Sequence, residues 1–297
     1  MGRAFPRETV VQRLTTAGVV VGRKALSSVL TDRDKAALAL DAPIHLSLPG
    51  AAGDLSARLY VPTGDRVGPS LLVYFHGGGF TFCDTATHDA LCRRLAHGAD
   101  IPILSVDYRL APEHPWPAQL DDAQAAVRWV LEHREDLPNP DGPLILGGDS
   151  AGGYLALSIT RSLNDQCQNT VDKTFLIYPL LHLDDALWST DSVGLRGVGR
   201  AAVRLIRTRL VEPPPNLLEA DPARDPPSIL TYGGLADPVR PDCLAYERQL
   251  RGAEIEVRSL AFRTLPHGYA NATYLLPAAR RAIDRTADLL RLTWDSG

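Results

Sequence analysis

Residues Gly148-Asp149-Ser150-Ala151-Gly152 place a serine between two glycines, and the chain around them gives the pattern chemical meaning. Leu144 to Gly147 is a short apolar run of strand character, and Ala151 to Leu163 has a helical pattern. A serine on a sharp strand-to-helix turn needs room two residues to either side, which Gly148 and Gly152 supply. The amide end of the following helix favours negative charge at the turn. Such a serine is suited to nucleophilic attack on a carbonyl, that is, to acyl transfer. The same five-residue pattern also arises by chance in glycine-rich loops, so it needs partners.

The first partner is His76-Gly77-Gly78-Gly79-Phe80, directly after the apolar run Leu71–Phe75. Three glycines expose backbone N–H groups and let a ligand approach closely. With the N–H of Ala151, the amides of Gly77 and Gly78 are the expected donors to an oxyanion. A phosphate-binding loop is the competing reading, but no Lys-Ser/Thr follows the glycines. His76 reads as structural. Gly79, Phe80 and Cys83 are candidate substrate contacts, although a buried apolar cysteine is the plainer reading of Cys83.

A serine hydroxyl needs a base, and the base needs an orienting carboxylate. Of the eight histidines only His182 and His267 follow Ser150. His182 precedes Asp184 and Asp185, the wrong order for a Ser–acid–His plan. His267 stands in a loop between the last strand and the last helix, and is the expected base. Asp237, in the loop after Ile229–Tyr232, is the expected acid; Asp242 reads as the cap of the next helix, and Asp221 and Asp225 come too early.

These residues require a frame. The 297 residues, 45% hydrophobic, are enough for one large α/β domain. Candidate strands are Ile44–Leu48, Ala57–Val61, Leu71–Phe75, Pro102–Val106, Leu144–Gly147, Thr174–Tyr178, Ile229–Tyr232 and Ile255–Phe262. Candidate helices are Ala86–His97, Ala118–His133, Ala151–Leu163, Cys243–Arg251 and Ala278–Leu292. Short apolar strands between helices predict a sheet buried on both faces, and the two opening strands predict an antiparallel edge. Residues 1–41 and about 183–227 break the alternation and are read as cap elements over the carboxyl edge of the sheet. The second contains a helix near Gly199–Val211 with Val203, Ile206 and Leu210 on one face and arginines on another.

The net charge of −4 implies no attraction to nucleic acid. No run reaches the roughly 20 apolar residues of a membrane helix. Cys83, Cys92, Cys167 and Cys243 have no metal-ligand spacing and read as reduced thiols of a cytoplasmic protein. The chemistry calls for no metal or cofactor.

The chain resembles the hormone-sensitive-lipase-like branch of the α/β-hydrolases, the bacterial esterase family IV, over most of residues 57–292. The resemblance rests on His76 to Phe80, Asp107 to Glu113, Gly148 to Gly153, Asp237-Pro238 and His267-Gly268. It implies an eight-stranded, mostly parallel sheet with a helical cap, and a serine esterase acting on small esters of short- to medium-chain acids. It implies a structural network in which Asp107, Arg109 and Glu113 pair with one another, and a homodimer through the last strand. Between His182 and Pro227 the chain departs from the family pattern. A lactonase, thioesterase, acyltransferase or cyclase would use the same triad, and a non-catalytic receptor of small molecules would have lost part of it.

Overall fold

The computed structural model describes residues 42–292 apart from 64–66, 167–169, 185–203 and 205. The eight strands are β1 (Ile44–Gly50), β2 (Gly53–Tyr60), β3 (Leu71–Phe75), β4 (Ile103–Val106), β5 (Leu144–Asp149), β6 (Lys173–Ile177), β7 (Ser228–Tyr232) and β8 (Val257–Ala261). The helices packed on them are α1 (Asp89–Ala99), α2 (Ala118–Glu132), α3 (Ala151–Gln166), α4 (Arg240–Gly252) and α5 (Pro277–Arg291). The strands form one sheet in the order β1-β2-β4-β3-β5-β6-β7-β8. β2 pairs antiparallel with β1 and with β4; every later pairing is parallel. This is the α/β-hydrolase architecture expected from the sequence.

Burial explains the arrangement. β3, β5 and β7 are buried along their whole length, as strands covered by helices on both faces must be. β1 is largely exposed and buries Leu48, while β2 alternates through Leu55, Ala57 and Leu59, as an edge hairpin does. β2 begins four residues before the apolar pattern because Gly50 and Gly53 close a tight turn on Ala51 and Ala52. α1 starts at Asp89 rather than Ala86, because Asp84 and Thr87 bond each other's backbone N–H groups and hold that stretch in a turn.

Two expected interactions are corrected. Asp242 is not the cap of α4: that helix starts at Arg240 behind Val239, with Pro241 in its first turn, and Asp242 faces His182 instead. Arg109 does not pair with Asp107 or Glu113 as a closed set. Its guanidinium forks onto Asp122 of α2, with Nε–Oδ2 2.7 Å and Nη2–Oδ1 2.8 Å. Asp107 instead accepts the Thr85 N–H at 3.3 Å and lies 3.8 Å from His76 Nε2.

Residues 1–41 and 185–203, which hold much of the expected cap, lie outside the described residues. Of the arginine-bearing helix, residues 206–210 are described and helical, with Leu210 buried. Residues 215–225 run along α3: Tyr154 OH donates to the Pro215 carbonyl, and Arg161 forks onto Asp225 while reaching the Leu217 carbonyl.

Candidate active site

The ends of β3, β5, β6 and β7 converge at one point of the carboxyl edge. β5 runs directly into α3, and Ser150 at the junction takes φ +52°, a left-handed conformation strained for any residue but glycine. The elbow persists because its surroundings hold it. Ser150 N–H donates to the Ile177 carbonyl, and the Ser150 carbonyl accepts from Tyr154 and Leu180. The chain packs so closely here that a Cβ at Gly152 would run into the Phe75 carbonyl.

His267 Nε2 lies 3.0 Å from Ser150 Oγ, and His267 Nδ1 lies 3.0 Å from Asp237 Oδ1. The buried carboxylate of Asp237 also accepts the N–H groups of Gly233, at 3.1 Å, and Val239, at 3.2 Å. An ionised carboxylate only accepts, so Nδ1 carries the proton and Nε2 presents its lone pair to the serine hydroxyl. The three residues expected from chain order are thus in hydrogen-bonding sequence, although 87 positions separate Asp237 from Ser150 and 30 separate it from His267.

The glycine loop differs from expectation at one residue. Gly77 N–H donates to Asp149 Oδ1 at 2.8 Å, away from the serine. A Cβ at Gly77 would collide with that carboxylate, so the close approach requires glycine. Gly78 and Gly79 border the cavity in front of Ser150. Of the two glycine amides expected to face an oxyanion, that of Gly77 is thus already engaged by Asp149.

Asp149 is buried beneath the site. It accepts from Tyr74 OH at 2.8 Å as well as from Gly77, lies 3.1 Å from His88 Nε2, and is 3.4 Å from Tyr178 OH. Burial opposes its charge, but His88, the Tyr74 hydroxyl and the Gly77 amide outweigh it and hold its pKa below the usual carboxylate value. Tyr178 OH also accepts the Ala270 N–H, and its ring lies 4.7 Å from that of His267, tilted by 58°. His76 stacks on Tyr108; burial first, and the neighbouring His88 second, push its pKa down to about 4 and keep it neutral. It stands behind the loop, as a structural histidine.

The cavity has a volume of about 350 Å³, near the lower end of the roughly 300–1,000 Å³ usual for small-molecule sites. Its walls are mainly apolar, including Phe82, Leu180, Leu183, Ile206 and Val239, and Asn271 supplies an amide. Of the three candidate substrate contacts, Gly79 and Cys83 border the cavity. Phe80 does not. It is fully buried, with its ring edge-on to Trp116 and Tyr154, because φ +59° turns its side chain into the core. Sequence reasoning missed Asp149, His88, Tyr178, Ile206 and Asn271. Only Asp149 carried a signal: a carboxylate beside a buried elbow must have donors.

The chain matches the alpha/beta hydrolase fold family over residues 72–271. It is 34% identical to "Esterase LipI" of Mycobacterium tuberculosis over 84% of this chain and 81% of that protein. It is 33% identical to "Carboxylesterase NlhH" of the same species over 78% of this chain and 76% of that protein. Among solved structures it resembles the hyperthermophilic esterase from Pyrobaculum calidifontis, with TM-score 0.83 and 27% identity, over 96% of this chain and 98% of that one.

Proposed function

This chain belongs to the hormone-sensitive-lipase-like, family IV branch of the alpha/beta hydrolases and is a serine carboxylesterase, and on that premise we propose which residues do the chemistry. Ser150 is the nucleophile, His267 the base and Asp237 the residue that orients it. The observation that carries this reading is the unbroken pair of 3.0 Å contacts from Ser150 Oγ through His267 to Asp237.

Ser150 Oγ attacks the ester carbonyl as His267 Nε2 takes its proton, and Asp237 stabilises the imidazolium. The amides of Gly78, Gly79 and Ala151 receive the oxyanion, in a cavity whose apolar walls strengthen those bonds. The alcohol leaves with the proton from His267, and water, deprotonated by the same ring, releases the acid from Ser150. The size and apolar lining of the cavity favour small, uncharged esters of short- to medium-chain acids. The named relatives favour esters over the thioester, lactone and acyl-transfer chemistries open to the same triad.

The wider reading has the chain as one domain, with residues 1–41 and about 183–227 capping the site. No helix among the described residues is long and apolar enough to cross a membrane. Cys83, Cys92 and Cys243 are free thiols, in keeping with a cytoplasmic location. A homodimer through β8 accords with its place at the end of the sheet.

The test is covalent labelling by a fluorophosphonate. The native protein should label at Ser150, and Ser150→Ala should not. Unchanged labelling of that variant would remove Ser150 from the mechanism.

A further inference from the structure

The segment after β6 touches both ends of the candidate triad. At one end Leu180 N–H donates to the Ser150 carbonyl at 2.9 Å. Leu180 and Leu183 then form one wall of the cavity, and Val239, whose N–H binds Asp237 Oδ1, forms another. Between the two leucines stands His182, nearly buried. Its Nε2 lies 3.2 Å from Asp242 Oδ2 in the first turn of α4, three residues beyond Val239.

We propose that His182 and Asp242 are positioning residues, whose ion pair clamps the 180–183 wall to the turn carrying Val239 and Asp237 and so sets the width of the acyl cavity. The proposal rests on the Ser150–His267–Asp237 assignment and adds to it a second His–Asp pair that touches no substrate.

The contact is ionic in character. Nε2 and Oδ2 meet at 3.2 Å with both residues nearly buried, so charge on the His182 ring strengthens a contact that the neutral ring can make only as a hydrogen bond. Three carboxylates act on that ring: Asp242 from α4, Asp184 from its own segment, with Oδ2 3.3 Å from Nδ1, and Glu219 from the turn at Leu217–Glu219. Asp242 chiefly, against the opposing effect of burial, raises the histidine pKa. A raised pKa means that the clamp is complete at lower pH and weakens as pH rises through the folded value. When the ring is neutral, Nδ1 accepts the Asp184 N–H at 3.1 Å, so the histidine keeps a local partner while its pull on α4 weakens.

The experiment is a pH profile of the full chain on p-nitrophenyl acetate from about pH 5 to 9, with kcat and KM resolved. In the native protein kcat/KM should fall about threefold toward the alkaline end, the size expected of a modest ion pair. The fall should lie in KM, with kcat nearly level. His182→Gln should lack the fall and keep the native alkaline KM at every pH. Asp242→Asn should lack the fall as well, since the ion pair has lost its carboxylate; it carries the test alone if His182→Gln does not fold. A native profile without the fall, or an unchanged fall in His182→Gln or in Asp242→Asn, would overturn the clamp. Fluorophosphonate labelling at Ser150 separates the two readings. A failed clamp leaves labelling intact, whereas failure of the triad assignment abolishes its dependence on Ser150.

Discussion

The carboxylate of Asp149 holds the backbone N–H of Gly77 at 2.8 Å and thereby ties the residue before Ser150 to the loop that faces it. Asp149 ends β5 and Gly77 lies two residues beyond β3, and the two strands are neighbours in the sheet. Their bond fixes where the next two amides, those of Gly78 and Gly79, stand relative to Ser150.

The Gly77 amide, the Tyr74 hydroxyl and His88 Nε2 all meet one oxygen of the Asp149 side chain, Oδ1; Asp149→Asn keeps its shape but removes the charge that draws them together and sets an NH2 group against the Tyr178 hydroxyl at the Oδ2 position. The loop should lose its register. Because a displaced oxyanion donor costs mainly transition-state binding, kcat should fall at least about tenfold with a smaller change in KM. Steady-state kinetics on p-nitrophenyl acetate, with circular dichroism to establish folding, decide it.

Asp237→Asn tests the orienting role at His267. An amide cannot stabilise the imidazolium and can bind the ring as the wrong tautomer, with Nε2 protonated toward Ser150. By analogy with other Ser–His–Asp enzymes kcat should fall by about 10⁴, with little change in KM. Activity within tenfold of native would reassign the acid.

Ile206 closes the cavity above Gly79. Ile206→Ala removes wall volume without touching the triad, and a pocket discriminates by about 1–3 kcal/mol per methylene. The ratio of kcat/KM for hexanoate over acetate esters should rise by about tenfold or more. An unchanged chain-length profile would exclude Ile206 from the acyl wall.

Cys83 faces the cavity, but its thiol is suppressed. Burial first, and the charge of Asp149 second, push its pKa up to about 12. At pH 8 the thiolate fraction is then about 10⁻⁴, so alkylation by iodoacetamide should be far slower than for an ordinary thiol. The rate should climb with pH well beyond the range in which free cysteine levels off. Mass spectrometry of residue 83 over time reads this directly.

Chain order and local pattern carried much of the fold and the convergence of Ser150, Asp237 and His267. Apolar runs bounded by glycine and proline mark β3 and β5 in the sequence, since a strand covered on both faces can accept only apolar side chains. The elbow around Ser150 and the positions of Asp237 and His267 were legible for a related reason: each follows a strand at the edge where ligands bind. Direction and partnership were not legible. Whether the Gly77 amide points at substrate or at Asp149 depends on a carboxylate 72 residues away. Whether Phe80 faces the cavity or the core depends on a backbone angle. Asp242 passes for a helix cap until His182 is brought against it. Periodicity records which face of an element is apolar; which donor meets which acceptor is decided only when separate elements pack, because hydrogen bonds and ion pairs act over about 3 Å and leave no repeating mark along the chain.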